Sequence, residues 1–317
     1  MHMIQHNGTR QLHMNNKKRR EEIRIRDPFV VTDGESKAYY LFGTTDTKPW
    51  YGRGEGFLVY KSSDLEEWEE LGYAFLPGDN FWADRNFWAP EVHRYKGGFY
   101  MLASFKAEGR CRGVQILYSH NLTGPYEPLT KEAVTPPDWE CLDGTLYIDE
   151  EGAPWLVFSH EWTQIQDGAI CCARLTGDLK ELIEEPKVLF HASEAPWSMA
   201  DTGDVIKQAG KNYVTDGPFL FKTEKGTLKM LWSSFSKTGY AMGAASSKSG
   251  LVSGPWEQSE KPFYEKDGGH GMLFRSFEGE LMLAIHTPNE SPFERAVFLP
   301  VAEDEEKGLR KWQEERL

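Results

Sequence analysis

A unit of two strand-like runs joined by a glycine-containing turn occurs five times along the sequence. Its copies are "RDPFVVTDGESKAYYLFGTT", "APEVHRYKGGFYMLASF", "LDGTLYIDEEGAPWLVFSH", "YVTDGPFLFKTEKGTLKMLWSSF" and "GHGMLFRSFEGELMLAIH". Their β-branched and aromatic runs and their turn chemistry are those of β-hairpins. Segments between the copies, such as "LVYKSSDLEEWEEL" and "CARLTGDLKELIEE", add further strand-like runs. Five units of about four strands predict an all-β, five-bladed β-propeller.

The length of the chain is compatible with one large domain. It has 317 residues, of which 39% are hydrophobic, and no Pro/Ser/Gly-rich linker divides it. We therefore predict a polar N-terminal extension over residues 1–23 and a single propeller domain over residues 24–317.

Charge and aromatic content restrict the partners. The formal net charge is −13, which disfavours nucleic acid, because phosphate binding requires a cationic face. A neutral small molecule fits better. The 11 Trp, 13 Tyr and 18 Phe residues can fill a core or provide flat platforms for sugar rings, and the core is the commoner use.

The cysteines and the N-terminus bear on the compartment. Cys111, Cys141, Cys171 and Cys172 form neither a CxxC pair nor a zinc pattern, and we expect reduced thiols. The first residues contain no apolar signal region, and no run of about 18 apolar residues suggests a membrane span. We expect a cytoplasmic protein with no membrane partner, unless a leader peptide was removed. The sequence does not indicate an oligomeric state.

A polar residue leads the inner strand of each unit, and these residues are Asp27, Glu91, Asp143, Asp216 and His270. In a propeller all inner strands begin near the axis on one face, so the five side chains should converge on one funnel. Clustered carboxylates repel and raise one another's pKa, which makes a functional site the simpler explanation. Taken singly, the aspartates are also typical of turn caps, Glu91 of a rim residue and His270 of a tight loop. Their common register favours the site.

The ordered motifs resemble those of glycoside hydrolase family 43, five-bladed propeller enzymes that act on arabinose- and xylose-containing plant polysaccharides. "RDPFVV" resembles the first-blade motif, which implies that Asp27 is the general base. "FWAPEVHRYKGGFYMLASF" resembles the second-blade motif, with Glu91 where Asp is commoner. "LDGTLYIDEEGAPWLVF" resembles the third-blade motif, which implies that Asp143 tunes the pKa of the acid and orients it. The resemblance covers most of the chain, and the ordered set is specific although each motif alone is weak.

One position departs from the family pattern. The family's general acid is a glutamate in a Glu-Gly-Pro step, whereas this chain has Asp216-Gly217-Pro218. The shorter side chain would set the carboxyl group back by roughly 1–1.5 Å, and errors of about 1 Å can cost a hundredfold in rate. We therefore keep two candidates for the acid, Asp216 and Glu161 of "FSHEWTQ". Glu161 could also contact a sugar hydroxyl or be an exposed loop residue.

Several further residues are expected near a substrate. Trp88 and Trp162 are predicted to approach the pocket together with Glu91. Arg275 resembles a family arginine that reaches toward the sugar, although a structural salt bridge is the alternative. The resemblance also implies that His270 helps to hold a calcium ion through water, because calcium prefers oxygen ligands. No organic cofactor is expected.

These residues and the resemblance predict an inverting, exo-acting α-L-arabinofuranosidase that removes terminal arabinose from arabino- or arabinoxylo-oligosaccharides. Inversion requires two carboxyl groups about 6.5–9.5 Å apart, which different blades can supply. The alternatives are a β-xylosidase or bifunctional enzyme, an endo-arabinanase, a glycoside phosphorylase and a non-catalytic sugar-binding propeller.

Overall fold

The strands of the computed structural model form five antiparallel sheets, each a blade of a propeller. The structure describes residues 16–200, 212–304 and 308–311. Within these ranges, helix is limited to α1 (Trp162–Ile165) and two 3-10 turns, Arg20–Glu22 and Ala192–Glu194. The predicted all-β, five-bladed propeller is confirmed. No helix among the described residues is long and apolar enough to cross a bilayer.

Each blade runs outward from the axis with its strands in chain order, except that β1 lies outermost in blade 1, beside β5. Blade 1 contains β1 (Lys17–Arg19), β2 (Arg26–Asp33), β3 (Ala38–Thr44), β4 (Phe57–Ser62) and β5 (Glu67–Phe75). Blade 2 contains β6 (Arg85–Tyr95), β7 (Gly98–Lys106), β8 (Gly113–Ser119) and β9 (Glu127–Pro128). Blade 3 contains β10 (Cys141–Ile148), β11 (Pro154–His160), β12 (Ala169–Arg174) and β13 (Lys187–His191). Blade 4 contains β14 (Asp216–Lys222), β15 (Leu228–Ser236), β16 (Gly239–Ser247) and β17 (Trp256–Gln258). Blade 5 contains β18 (Gly269–Arg275), β19 (Leu281–Thr287), β20 (Arg295–Asp304) and β21 (Gly308–Lys311).

The N-terminal extension that we predicted over residues 1–23 lies partly within blade 1. Strand β1 pairs antiparallel with β5, joining Lys17 to Glu69 and Arg19 to Glu67. This part of the extension is therefore the outermost strand of a sheet. Residues 1–15 lie outside the described residues.

The core fills the wedges between neighbouring blades. Between blades 1 and 2, four phenylalanines with almost no exposure pack in tilted and edge-to-face arrangements, with ring centroids 4.9 to 6.2 Å apart. They are Phe57, Phe75, Phe87 and Phe105. Burying one such ring stabilises the fold by about 1.5–3 kcal/mol. Many of the aromatic residues are therefore structural. All four cysteines are free thiols, as the sequence predicted.

The innermost strand of every blade carries a register shift at the same place, close to its first residues. The shifts lie between Arg26 and Phe29, Trp88 and Glu91, Leu142 and Thr145, Asp216 and Phe219, and Gly269 and Met272. The residue after the first member of each pair has a positive φ of about 50°. Such a bulge re-aims side chains where a ladder ends. The five bulges therefore turn two residues per blade toward the axis.

Candidate active site

The two residues at each bulge form two tiers around the axis. The inner tier is the positive-φ residues Asp27, Ala89, Asp143, Gly217 and His270. The outer tier is the residues just before them, Arg26, Trp88, Leu142, Asp216 and Gly269. Every outer-tier residue except Gly269, together with Asp27, Asp143 and His270, lines one cavity of about 390 Å³.

This arrangement corrects the common register that we predicted from the sequence. Asp216 lies one position earlier than Asp27, Asp143 and His270, and Glu91 lies two positions later than the inner-tier residue of its blade. Glu91 is buried and does not line the cavity; its Oε2 is 2.9 Å from Nε2 of His93. Every blade has the same bulge, which adds one residue to the inner strand. Counted from that bulge, Glu91 is equivalent to Phe29 of blade 1 and Thr145 of blade 3, not to Asp27 and Asp143. The predicted substrate contact of Glu91 is therefore wrong.

Asp27 is buried among groups that favour its ionised form. Its Oδ2 accepts a 2.6 Å hydrogen bond from the Thr44 hydroxyl, and its Oδ1 lies 3.2 Å from Nδ1 of His270. Burial alone would raise the pKa of Asp27, but the nearby His270 and Arg26 side chains and the Thr44 hydroxyl outweigh it and lower the pKa to about 2. Asp27 is consequently an ionised carboxylate at neutral pH.

Asp143 and Asp216 have the opposite electrostatic environment. Burial, and then the charge of Asp27, raise the pKa of Asp143 well above its usual range. Burial, and then the charge of Asp143, raise the pKa of Asp216 to about 7. The backbone N–H of Gly217 donates a 3.0 Å hydrogen bond to Oδ2 of Asp143 and ties these two acidic residues together. The cavity thus contains one carboxylate and a pair of carboxyl groups that retain a proton near neutral pH.

Tyr240 occupies the gap that Gly269 leaves in the outer tier. A Cβ on Gly269 would lie 2.9 Å from Cε1 of Tyr240, so a larger residue there would displace the ring. The Tyr240 hydroxyl donates a 2.9 Å hydrogen bond to Oδ2 of Asp216. Gly217 provides room in the same way, because a Cβ there would lie 2.7 Å from the His270 ring. These two glycines therefore allow an aromatic ring to pack against each of two acidic residues.

Hydrogen bonds between neighbouring blades, which we call the interblade belt, hold the inner tier. The backbone N–H of Ala89 donates to Thr44 Oγ1, that of Asp143 to Ser104 Oγ and that of His270 to Ser233 Oγ, each at 2.8 Å. In each case the acceptor lies at the same position of the second strand in the preceding blade. Blade 5 has His286 at that position, and its Nδ1 accepts from the N–H of Asp27 at 3.2 Å. In blade 3 the position is Ser159, whose buried hydroxyl has no partner among the described residues.

One wall of the cavity contains two indole rings packed between two guanidinium groups. The Arg26 guanidinium lies 4.9 Å from the ring centroid of Trp50, Trp50 packs against Trp88 at 5.0 Å, and the Arg112 guanidinium lies 4.2 Å from Trp88. Arg112 forms a buried ion pair with Glu161. Cation–π contacts of this kind hold aromatic rings in place. The predicted pocket position of Trp88 is therefore matched by the structure, and Trp50 joins it.

Trp162 also lines the cavity, as the sequence predicted, but Glu161 does not. The carboxylate of Glu161 accepts a hydrogen bond from Thr163 as well as the contact from Arg112. This geometry does not present Glu161 as an acid or as a sugar contact. Its function in the structure is to anchor the wall.

Arg275 lies far from the cavity. It is the last residue of β18, whereas His270 is near the first, and five residues of strand span about 17 Å. Its side chain is exposed, donates to the carbonyl of Gly279 and lies 3.6 Å from Glu224. The predicted contact of Arg275 with the sugar is wrong, and the alternative of a structural salt bridge fits.

A calcium ion at His270 would require oxygen ligands beside the imidazole. The described residues contain no group of three or more His, Cys, Asp or Glu side chains arranged to hold a metal ion. Nδ1 of His270 instead faces the carboxyl groups of Asp27 and Asp143 at 3.2 and 3.6 Å. The side chains around His270 thus do not fit a directly ligated calcium ion, and no step below uses a metal.

Sequence reasoning missed the residues that support the acids, chiefly Arg26, Thr44, Tyr240 and His286. A signal existed for the interblade belt, because the second run of every unit ends in a polar residue: "LFGT", "MLAS", "LVFS", "MLWS" and "LAIH". For Tyr240, on the third strand of blade 4, the sequence offers no comparable signal.

A five-bladed propeller with ionised and protonated carboxyl groups in one axial cavity has the parts that a glycoside hydrolase needs. The family model for glycosyl hydrolases family 43 matches residues 22–308, and the chain belongs to this family. The chain is 25% identical over 264 residues to an extracellular exo-α-(1→5)-L-arabinofuranosidase of Cellvibrio japonicus, which covers 78% of this chain and 68% of that enzyme. It is 27% identical over 152 residues to an extracellular endo-α-(1→5)-L-arabinanase of Bacillus subtilis, covering 45% of each. Among solved structures, an endo-arabinase from Bacteroides thetaiotaomicron superposes with a TM-score of 0.84 and 42% identity over 91% of this chain and 98% of that one.

These relatives contradict the cytoplasmic location that we predicted from the sequence. Both curated relatives are extracellular enzymes. The absence of an apolar signal region in the first residues was therefore a poor guide to location.

Proposed function

We propose that this protein is an inverting glycoside hydrolase that releases terminal α-L-arabinofuranose from arabinan fragments. The observation that carries the proposal is the difference between two carboxyl groups in one cavity. The pKa of Asp27 is about 2 and that of Asp216 about 7. Pairs of titratable groups whose environments separate their pKa values are the signature of a base and an acid.

The proposed reaction uses these groups on blades 1 and 4. Asp27 accepts a proton from a water molecule whose oxygen attacks the anomeric carbon. The glycosidic C–O bond breaks, and Asp216 donates its proton to the departing oxygen. The charge of Asp143 helps to keep Asp216 protonated, and the N–H of Gly217 holds the Asp143 carboxylate beside it. His270 lies against Asp27 and Asp143 and offsets part of their repulsion.

The substrate class rests on the cavity and on the relatives. Trp50, Trp88 and Trp162 give the cavity flat apolar surfaces of the kind on which sugar rings stack. The curated relatives act on α-(1→5)-linked arabinose polymers. Because both are extracellular, we propose that this protein also meets its substrate outside the cytoplasm.

An endo-acting arabinanase is the second candidate, because the Bacteroides structure with 42% identity is an endo-arabinase. A phosphorylase fits less well. Among the described residues, Arg26 is the arginine or lysine that lines the cavity, and it is already engaged by Glu294 at 3.0 Å and Asn289 at 2.8 Å. A non-catalytic sugar-binding propeller would have no use for a carboxyl group with its pKa near 7.

Product analysis tests the proposal. The protein is incubated with linear α-(1→5)-arabinan and with the aryl α-L-arabinofuranoside and β-D-xyloside, and the anomer first formed is followed by NMR. We expect free arabinose of inverted configuration from the arabinan and the arabinoside. A ladder of arabino-oligosaccharides would favour the endo enzyme, faster turnover of the xyloside would favour a xylosidase, and a product of retained configuration would overturn the mechanism.

A further inference from the structure

His286 differs from the other members of the interblade belt. Blades 1 to 4 have Thr44, Ser104, Ser159 and Ser233 at this position, whereas blade 5 has an imidazole. A hydroxyl serves as the acceptor for the N–H of Ala89, Asp143 and His270. Filling the position therefore does not require an imidazole, and its presence beside Asp27 calls for a separate explanation.

The contacts of His286 fix its tautomer. The backbone N–H of Asp27 can only donate, so Nδ1 of His286, 3.2 Å away, must carry no proton. Nε2 then carries the hydrogen and donates to Oδ1 of Asn289 at 3.2 Å. Burial, and then the charge of Arg26, lower the pKa of His286 to about 3, so the ring is neutral at working pH. A neutral ring with this tautomer is an acceptor toward Asp27 and a donor away from it.

The second ring nitrogen of His286, Nε2, links Asp27 to Arg26 through Asn289. Oδ1 of Asn289 also accepts from the Arg26 guanidinium at 2.8 Å, and Arg26 pairs with the fully buried Glu294. The base and its neighbouring cation are therefore held by one chain of hydrogen bonds that runs through His286 and Asn289. A serine at position 286 would be too short to reach both ends.

The backbone that His286 holds is a strained one. Asp27 has φ 51°, a region that a non-glycine residue occupies at a cost of about 1 kcal/mol or more. Pro28 follows it and provides no N–H of its own. The N–H of Asp27 is therefore the local backbone donor by which the surrounding structure can hold this conformation.

We propose that His286 is a positioning residue that holds the backbone of Asp27 so that its carboxylate faces the attacking water. This inference rests on the proposed function of Asp27 as the base. His286 does not line the cavity. Its polar contacts are with Asp27 and Asn289, and its ring stacks on Tyr240 with centroids 5.7 Å apart.

Two amide substitutions separate the two contacts of the ring. In His286→Asn, the side-chain oxygen takes the place of Nδ1 and keeps the acceptor for Asp27. In His286→Gln, the amide nitrogen takes the place of Nε2 and keeps the contact with Asn289. We expect His286→Asn to retain kcat within about fivefold and His286→Gln to lose about thirtyfold or more, with KM within about twofold in both.

A second measurement tests the hydrogen bond between the Asp27 N–H and His286 in the absence of substrate. Amide hydrogen exchange at Asp27, followed by NMR, should remain slow in His286→Asn and become faster in His286→Gln. Equal activity and equal exchange in the two variants, or an active Gln variant beside an inactive Asn variant, would overturn the proposal. An inactive parent protein would defeat the proposed function, whereas the exchange comparison would still decide the positioning by His286.

Should an amide variant lose the near-UV circular dichroism of the parent, His286→Ser and His286→Ala replace the pair. The serine variant keeps an acceptor of the kind that Ser233 provides for His270. Slower exchange at Asp27 in the serine variant than in the alanine variant is expected, and equal exchange would overturn the proposal.

Discussion

The phenolic hydroxyl of Tyr240 donates a 2.9 Å hydrogen bond to Oδ2 of Asp216. Burial raises the pKa of Tyr240 well above its usual range, so the phenol stays a neutral donor. Asp216 stands where the family has the longer glutamate, and a fixed donor reduces the freedom of the shorter side chain. The Tyr240 hydroxyl thus restrains the orientation of the Asp216 carboxyl group.

Removal of this hydroxyl should alter both rate and pH dependence. We expect Tyr240→Phe to lower kcat about tenfold with little change in KM, because orientation is lost and ground-state binding is not. The hydrogen bond lowers the pKa of Asp216, so its loss should move the alkaline limb of kcat/KM to higher pH. Tyr126→Phe is the control, since it removes a buried hydroxyl that donates to the carbonyl of Leu122. An alkaline limb that does not move, or that moves equally in the control, would contradict this account.

The identity of the general acid can be tested by comparing substrates whose leaving groups differ in their need for protonation. Asp216→Asn should reduce hydrolysis of arabino-oligosaccharides by about 10²–10⁴-fold, the usual contribution of general acid catalysis. The loss should be much smaller for an aryl arabinofuranoside whose phenolate leaves without protonation. Glu161→Gln should show no such dependence on the leaving group, because Glu161 does not line the cavity. Its expected effect is a lower Tm, since it breaks a buried ion pair with Arg112. The opposite pattern in the two variants would make Glu161 the acid.

The pH profile of kcat/KM follows from the two pKa values. Asp27 must be ionised, and with its pKa at about 2 it remains so at every pH above about 4. Asp216 must be protonated, and with its pKa at about 7 activity should fall as pH rises through 7. The profile measured between about pH 4 and 9 should therefore show a plateau on the acid side and one alkaline limb. Asp143→Asn removes a like charge and should move that limb to lower pH, the reverse of Tyr240→Phe. A limb that rises with pH would exclude Asp216 as the acid.

Two equivalent positions of the interblade belt should respond differently to loss of a hydroxyl. Thr44→Val removes the donor to Asp27 and leaves the N–H of Ala89 without its acceptor. We expect a loss of about 1–3 kcal/mol in the free energy of unfolding, measured with urea. Ser159→Ala removes a buried hydroxyl that has no partner among the described residues, so stability should be unchanged or slightly higher. Equal destabilisation by the two substitutions would show that the belt does not carry the energy assigned to it.

The fold was predictable because the hairpin unit repeats, and a repeat fixes both strand number and the face on which inner strands begin. The repeat correctly gave Asp27, Asp143 and His270 the same position on their inner strands. It misplaced Asp216 by one position and Glu91 by two, because the motifs show which strand a residue is on but not where the one-residue bulge falls. The predicted sugar contact of Arg275 was wrong because the motif does not show that this residue lies at the far end of its strand from the cavity. Tyr240 reaches the site from the third strand of blade 4, which lies outside the repeated motifs, so its contact depends on packing that the motifs do not show. His286 ends the fifth unit, but the repeat does not show that it contacts Asp27 of blade 1.

The interblade belt closes between His286 of blade 5 and Asp27 of blade 1, residues 259 positions apart in the chain. Arg26 meets Glu294 at the same seam. The contacts that hold Asp27 and Arg26 therefore form only when blades 1 and 5 pack together. A chain that has folded four blades lacks the contacts from His286 and Glu294. Catalytic activity would therefore appear only when blade 5 packs against blade 1 and closes the propeller.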